Sequence, residues 1–333
     1  MLRTAILGAG GIGTHLAREV SAHPDGTIAA VVDVNEDALD DLAAEHDLDE
    51  SVLFTDESVM YEATDLDAVI IATPPAFHDD QIDAAFERDL HVLCEKPVVV
   101  ERAAAERLHE RVADSELVFM AGYQRHLNPG FVAAYERYHE AGYEPTFMTG
   151  ELTQDWRHHF ESGTNWRTDP EIGGRGHLFS VGTHVLESVL WLTGLTPTAV
   201  SAEMEFHDDE QYIDTKSSLT VRFENGAVAS FADSAVASAT REHIHVWDDE
   251  GAVYLEGVDW GQRELTLVES DGSERVPDLA YDDAPSKFAA FAAAIESGEE
   301  PPATAEDVLV VTALLDAAYE SARTGERVAV DLE

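Results

Sequence analysis

The chain contains three lysines, and one of them, Lys96, lies in Cys94-Glu95-Lys96-Pro97 directly behind the apolar run His91-Val92-Leu93; the others are Lys216 and Lys287. A lysine behind a buried strand, in a chain this poor in lysine, points to chemistry: a desolvated amine can share a proton or hold a substrate oxygen. The same half opens with Gly8-Ala9-Gly10-Gly11-Ile12-Gly13, and Asp33 stands twenty residues beyond Gly13 at the end of a second apolar run. In such a pattern the first glycine permits a tight turn, the second lets the backbone approach a pyrophosphate, and the third lets helix pack on strand. Gly11 and Ile12 open the helix whose N–H groups meet the phosphates, and the acidic residue accepts ribose hydroxyls. Asp33 repels a 2′-phosphate and neither Val34 nor Asn35 offers a cation, so NAD is favoured, with NADP possible where salt blunts the repulsion. Together these residues imply a nicotinamide-dependent oxidoreductase.

The elements that position them alternate. Thr4 to Leu7, Thr27 to Val32, Ala68 to Ala72, His91 to Cys94 and Leu117 to Met120 read as strands. Between them Ile12 to Ser21, Asn35 to His46, Asp79 to Arg88 and Glu101 to Ala113 read as helices. Single helices between strands predict an α/β Rossmann domain with a doubly wound parallel sheet over residues 1–122. Thr73 and Pro74 follow a strand and His78 begins the next helix, at the sheet edge where ligands bind. From 123 to 333 the pattern changes to an α+β domain with a large, mostly antiparallel open sheet. Asn128-Pro129 caps a helix reaching Glu140. Strand-like runs then cover Phe147 to Leu152, Ala199 to Phe206, Ser217 to Phe223, Ala227 to Ala232, His243 to Val246 and Ala252 to Leu255, with a hairpin at Asn225-Gly226. A helix is expected from about His177 to Leu192, and a terminal one over about 303–323 with Gly325 as its stop.

Composition excludes several classes. Of 333 residues, 67 are acidic and 20 basic, a formal net charge of −47, while 44% are hydrophobic. The chain is globular, large enough for two domains, and repels nucleic acid and anionic lipid. Dispersed acidity with arginine preferred over lysine resembles proteins of salt-accumulating halophiles. A single cysteine, Cys94, excludes an intramolecular disulfide. No stretch has the length and apolarity of a membrane span, and Arg3 to Leu7 reads as a strand and not a signal peptide, so a cytoplasmic location is expected. The scattered histidines His158, His159, His177, His184, His243 and His245 lack tight metal-ligand spacing, and no metal is expected.

Several motifs occur in the order seen in the glucose-fructose oxidoreductase / inositol dehydrogenase (Gfo/Idh/MocA) family, which the chain resembles over essentially its whole length. They are Gly8 to Gly13, Asp33, Ala72-Thr73-Pro74 with His78, Glu95-Lys96-Pro97, and Gly122-Tyr123-Gln124-Arg125 with Asn128-Pro129. Trp166-Arg167, Gly173-Gly174-Arg175-Gly176, Gly182-Thr183-His184 and Ser321 to Gly325 complete the match. The resemblance implies a sugar, cyclitol or related polyol substrate and a homodimer or homotetramer formed through the C-terminal sheet. By the same analogy Glu95 and Lys96 border the cofactor, Lys96 reaches the nicotinamide ribose and the reacting hydroxyl, and His184 is the general base. Many members carry aspartate where this chain has Ser180; Glu187, one turn after His184, and His177, one turn before Ser180, are candidates to compensate. Trp156, Trp166 and Arg167 are expected to edge the substrate pocket, with Arg125 on the crossing loop. Two alternatives stay open: a redox-neutral enzyme that uses bound NAD transiently, and a non-catalytic dinucleotide-binding regulator.

Overall fold

The structure is a computed structural model and describes residues 1–161 and 165–332. In chain order the first stretch runs β1 (Leu2–Leu7), α1 (Gly11–Ala22), β2 (Gly26–Val32), α2 (Glu36–His46), β3 (Leu53–Phe54), α3 (Glu57–Ala63), β4 (Ala68–Ile71), α4 (His78–Phe86), β5 (His91–Cys94), α5 (Arg102–Ala113) and β6 (Phe119–Ala121). The remainder runs α6 (Pro129–His139), β7 (Pro145–Asp155), α7 (Arg157–Glu161), α8 (Thr183–Thr193), β8 (Pro197–Phe206), β9 (Asp214–Phe223), β10 (Val228–Ser234), β11 (Val236–Asp248), β12 (Gly251–Val258), β13 (Arg263–Glu269), β14 (Glu274–Arg275), α9 (Lys287–Ser297), α10 (Ala305–Thr324) and β15 (Val328–Ala329).

Two compact units result. The first comprises Met1–Val99, Glu106–Gln124 and Pro285–Ala305; the second comprises Val100–Ala105, Arg125–Ala284 and Glu306–Glu333. The division is not a single cut near residue 122, because α9 returns to the first unit.

In the first unit the strand order is β3-β2-β1-β4-β5-β6, with every pairing parallel. This is the doubly wound order whose halves diverge between β1 and β4, where a crevice for a dinucleotide opens. Strands covered on both faces read as continuous apolar runs, and Ala5, Ile6, Leu7, Val69, Ile70 and Ile71 are all fully buried. α1 lays Leu16, Ala17 and Val20 against the sheet. Ser286 caps α9 through Ala289 N–H, Phe288 and Phe291 are wholly buried, and Phe288 N–H donates to Glu19 of α1 at 3.0 Å.

The second unit carries a nine-stranded sheet, β14-β13-β12-β11-β7-β10-β9-β8-β15, antiparallel apart from the β10–β7 pair. Alternating burial along β9 leaves one face to the core, whose cover includes α8, buried at every residue but Trp191. Gly150 lets α8 sit directly on β7, for an added Cβ would meet Val185 Cγ1 at 2.4 Å. Asn128 caps α6 through Gly130 and Phe131 N–H, and Gly226 at φ +90° turns the β9–β10 hairpin, both as the sequence predicts.

One expectation is corrected. The helix expected from His177 to Leu192 is not uniform: Leu178–Gly182 is π-helical and the α-helix begins at Thr183. Asp214 fixes the start of the wide turn by accepting Leu178 N–H at 3.0 Å, and Gly182 is bare enough to pack on Asp233, whose Oδ1 an added Cβ would approach to 2.7 Å. Ser180 and His184 therefore do not stand in the simple one-turn relation of an α-helix.

Candidate active site

The first unit builds a dinucleotide cradle from backbone. Gly8 has φ +98°, and a Cβ there would strike Ala72 O at 2.7 Å; at Gly13 it would strike Gly8 O at 1.8 Å. These two glycines hold the turn and the close packing of α1 on β1. Gly10 and Gly11 differ, since an added methyl would meet nothing within 4 Å. Gly10 is the N-cap of α1 and no side chain caps that helix, so an anion can approach its N-terminus through this open space. Asp33 ends β2, its Oδ2 accepting Ala9 N–H at 2.7 Å and its Oδ1 accepting Asn35 N–H at 2.8 Å. Two backbone donors aim the carboxylate and leave each oxygen with capacity for a ribose hydroxyl. The residues present fit a dinucleotide.

Thr73, Pro74 and His78 follow β4. Thr73 Oγ1 donates to Gln81 Oε1 at 2.6 Å. The buried His78 ring contacts Thr73 O at 2.8 Å through Nε2, and Pro97 O and Val98 O at 3.0 and 3.1 Å through Nδ1. The ring lies between carbonyls of the loop after β4 and the loop after β5, a neutral imidazole donating to one side at a time, and burial lowers its proton affinity. His78 shapes the cradle without presenting a nitrogen to a ligand.

Behind β5, the Lys96–Pro97 peptide is cis. Glu95 is buried, forms an ion pair with Lys287 Nζ, and accepts Lys96 N–H on Oε2 at 3.3 Å. Burial followed by the Glu95 charge holds the Cys94 thiol well above its ordinary range, so it is inert. Lys287 was absent from the expected site, although Ser286 as a cap, Phe288 and Phe291 three apart and Gly298 beyond form a legible helix signal.

The second unit gathers the remaining polar residues. His184 is 3% exposed at the start of α8, its ring 6.1 Å from that of Trp260. Ser180 lies buried on the π-turn. Glu187, expected to support His184, hydrogen-bonds His126 Nε2, and that ring stacks on Trp191 at 3.9 Å. Burial raises the Glu187 carboxyl's proton affinity, with His126 opposing. His177 is fully buried and its Nδ1 meets Asp233 Oδ2 at 2.7 Å, while its ring stands edge-on to Trp156 at 4.8 Å. Trp156 is itself buried and also meets His159 edge-on at 5.0 Å.

Trp166 is 37% exposed with the Arg167 guanidinium 4.3 Å above its ring. Arg125 is committed elsewhere: Nε and Nη2 bond the buried Glu242, which also takes Arg263 Nη2 at 2.8 Å. This Arg–Glu–Arg cluster lies within the second unit and is buried, Arg125 being 4% exposed. The acidic partners Asp233 and Glu242 carry no sequence signature; strand pairing brings them in. Among the described residues no group of three or more His, Cys, Asp or Glu has the arrangement of a metal site.

Comparison with known proteins agrees with this architecture. The profile of the oxidoreductase family with an NAD-binding Rossmann fold, GFO/IDH/MocA, matches residues 2–123, and that of the GFO/IDH/MocA C-terminal domain matches residues 144–254. The chain belongs to this family of oxidoreductases. A D-xylose 1-dehydrogenase [NADP(+)] of Haloarcula marismortui is 28% identical over 301 residues, covering 87% of this chain and 82% of its own length. An inositol 2-dehydrogenase of Rhizobium meliloti is 26% identical over 349 residues, covering 99% of both. Levoglucosan dehydrogenase, solved in complex with NADH, has the same fold with TM-score 0.85 at 22% identity over 99% of each chain.

Proposed function

We propose that the protein is a dehydrogenase of a sugar or cyclitol hydroxyl, with Lys96 and His184 managing the substrate proton. The observation that carries this reading is the cradle of Gly8, Gly10, Gly13 and Asp33 at the same edge of the parallel sheet as Glu95-Lys96, with β4 between β1 and β5. Bound nicotinamide supplies the hydride acceptor; everything else falls to side chains. Lys96 holds the reacting hydroxyl and the nicotinamide ribose, and His184 accepts the hydroxyl proton as hydride leaves. Ser180 contributes a hydrogen bond but no charge. Of the expected pocket residues, Trp166 and Arg167 are the more exposed and offer an apolar face and donors suited to a polyhydroxylated ring, while Trp156 and His177 are buried.

Asp33 supports NAD over NADP, since Ala9 and Asn35 N–H hold its carboxylate in place as a fixed negative group and Val34 beside it, 89% exposed, adds no cation. The named substrates of the relatives, xylose and inositol, define the panel to assay. The cofactor domain, expected over residues 1–122, takes α9 as well, and the rest of 123–333 serves substrate and assembly. For assembly, Phe147, His243, His245, Trp247 and Tyr254 form a ring cluster on one face of the second sheet, Phe147 remaining 44% exposed. That patch supports a homo-oligomer formed through this face. Among the described residues no helix is long and apolar enough to cross a membrane; a cytoplasmic, salt-adapted enzyme is the setting that the acidic composition supports. The reading is tested by NADH and NADPH formation over aldoses, inositols, sugar acids and deoxy sugars. Turnover with release of stoichiometric NADH supports it, and tight NAD binding without turnover on any member opposes it.

A further inference from the structure

Two of the chain's three lysines meet one carboxylate. Lys287 Nζ pairs with Glu95 Oε1, and both side chains are only 9% exposed. The other oxygen, Oε2, accepts the backbone N–H of Lys96 at 3.3 Å. Gly122 closes the opposite side: a Cβ there would stand 3.0 Å from Glu95 Cα, Cδ and Oε2, so a methyl would fit only if Glu95 gave by a few tenths of an ångström, and Gly122 N–H bonds Cys94 O at 2.7 Å. Lys287 is fixed from behind as well, since Ser286 caps its helix and the next residue, Phe288, is buried and bonded to Glu19. The carboxylate is held rigidly on both oxygens.

We infer that Lys287 is a positioning residue that acts through Glu95 to orient Lys96 and to offset the carboxylate charge beside it. With Lys287 in place, the Glu95 charge is compensated and the carboxylate is turned toward the Lys96 amide. Without it, an unpaired buried carboxylate lies one residue from the Lys96 amine, favours the ammonium form, and is free to draw that side chain out of position. This rests on the proposal that Lys96 works at the reacting centre, and the test separates the two.

Because the chain has three lysines, limiting acetic anhydride followed by peptide mass spectrometry reads each amine by itself, with the exposed Lys216 as internal standard. In Lys287→Met, acylation of Lys96 relative to Lys216 should slow about threefold or more, because the freed carboxylate keeps the amine charged. The kcat should fall about tenfold while NADH affinity, read by fluorescence, changes less than about threefold; Lys287→Arg, which keeps the charge, should recover most of both. If Lys287→Met does not fold, Glu95→Gln combined with Lys287→Met leaves no uncompensated charge and replaces it. In that variant Lys96 acylates at about the wild-type rate relative to Lys216 and kcat is still lowered. Unchanged relative acylation of Lys96 in the folded variant, with unchanged kcat, overturns the inference. If the wild type turns over no substrate, acylation still decides the positioning, and absence of protection of Lys96 by NADH counts against the functional reading alone.

Discussion

Asp33 is the side chain on which the proposed preference for NAD rests. Its oxygens are oriented by Ala9 and Asn35 N–H, which leaves a negative group where the adenosine ribose lies in a fold of this kind. Asp33→Ser should raise the NADP-to-NAD ratio of kcat/KM about tenfold or more, measured at fixed salt because screening itself weakens the repulsion. An unchanged ratio would remove Asp33 from the selection. At this scale the sequence was informative where a residue was rare or locked in a motif. Lys96 stood out because lysine is scarce, and the glycines because their spacing encodes backbone contacts. Glu187 was less legible: helical spacing reported which residues share a face with His184, but the partner of Glu187 is His126, sixty-one residues earlier. Arg125 likewise looked like a pocket residue until strand β11 brought Glu242 to it.

Elements carry the tolerances of the site. Gly13→Ala forces a methyl to 1.8 Å from Gly8 O, a backbone atom that cannot yield, and should cost about 3 kcal/mol or more. Gly10→Ala meets no protein atom, so it should leave the melting temperature nearly unchanged while weakening NADH binding. Equal losses of stability in the two variants would contradict this division of labour. The π-turn before His184 depends on Asp214, which accepts Leu178 N–H and hydrogen bonds from Ser217 and Tyr319. Burial, then the charge of Asp233, pushes the Asp214 carboxyl up to about 6. A native value above the unfolded one means the stabilisation is complete below about pH 4 and is lost as pH rises through about 6. Between these limits the wild type should lose more thermal stability with rising pH than Asp214→Asn does; parallel profiles would place the titration elsewhere. Periodicity revealed the long helices and the parallel strands, since their apolar runs are continuous. It shortened β11, whose first half, Val236 to Glu242, is small or polar, and it did not mark the π-turn, which is set by tertiary contacts to Asp214 and Asp233.

At the scale of the whole molecule, charge dominates. A net −47 repels itself in the compact state, and screening relieves that repulsion. Thermal stability should therefore climb steadily as KCl rises toward ~2 M, and a flat dependence would reject salt adaptation. The ring cluster on the second sheet predicts that Trp247→Asp yields a smaller species by light scattering, with the fold intact by circular dichroism. An unchanged mass would show that assembly uses another face. The return of α9 to the first unit was invisible to a linear reading of domains, because which sheet a helix joins is decided by packing partners such as Glu19 and Glu95. The central claim, hydride transfer from a sugar or cyclitol hydroxyl governed by Lys96, is tested most directly by steady-state NADH formation over the substrate panel in concentrated KCl, wild type against Lys96→Ala. The account predicts turnover on at least one aldose or inositol and a loss of kcat/KM of about a thousandfold in the variant with NADH still bound. Equal rates in the two proteins would contradict it.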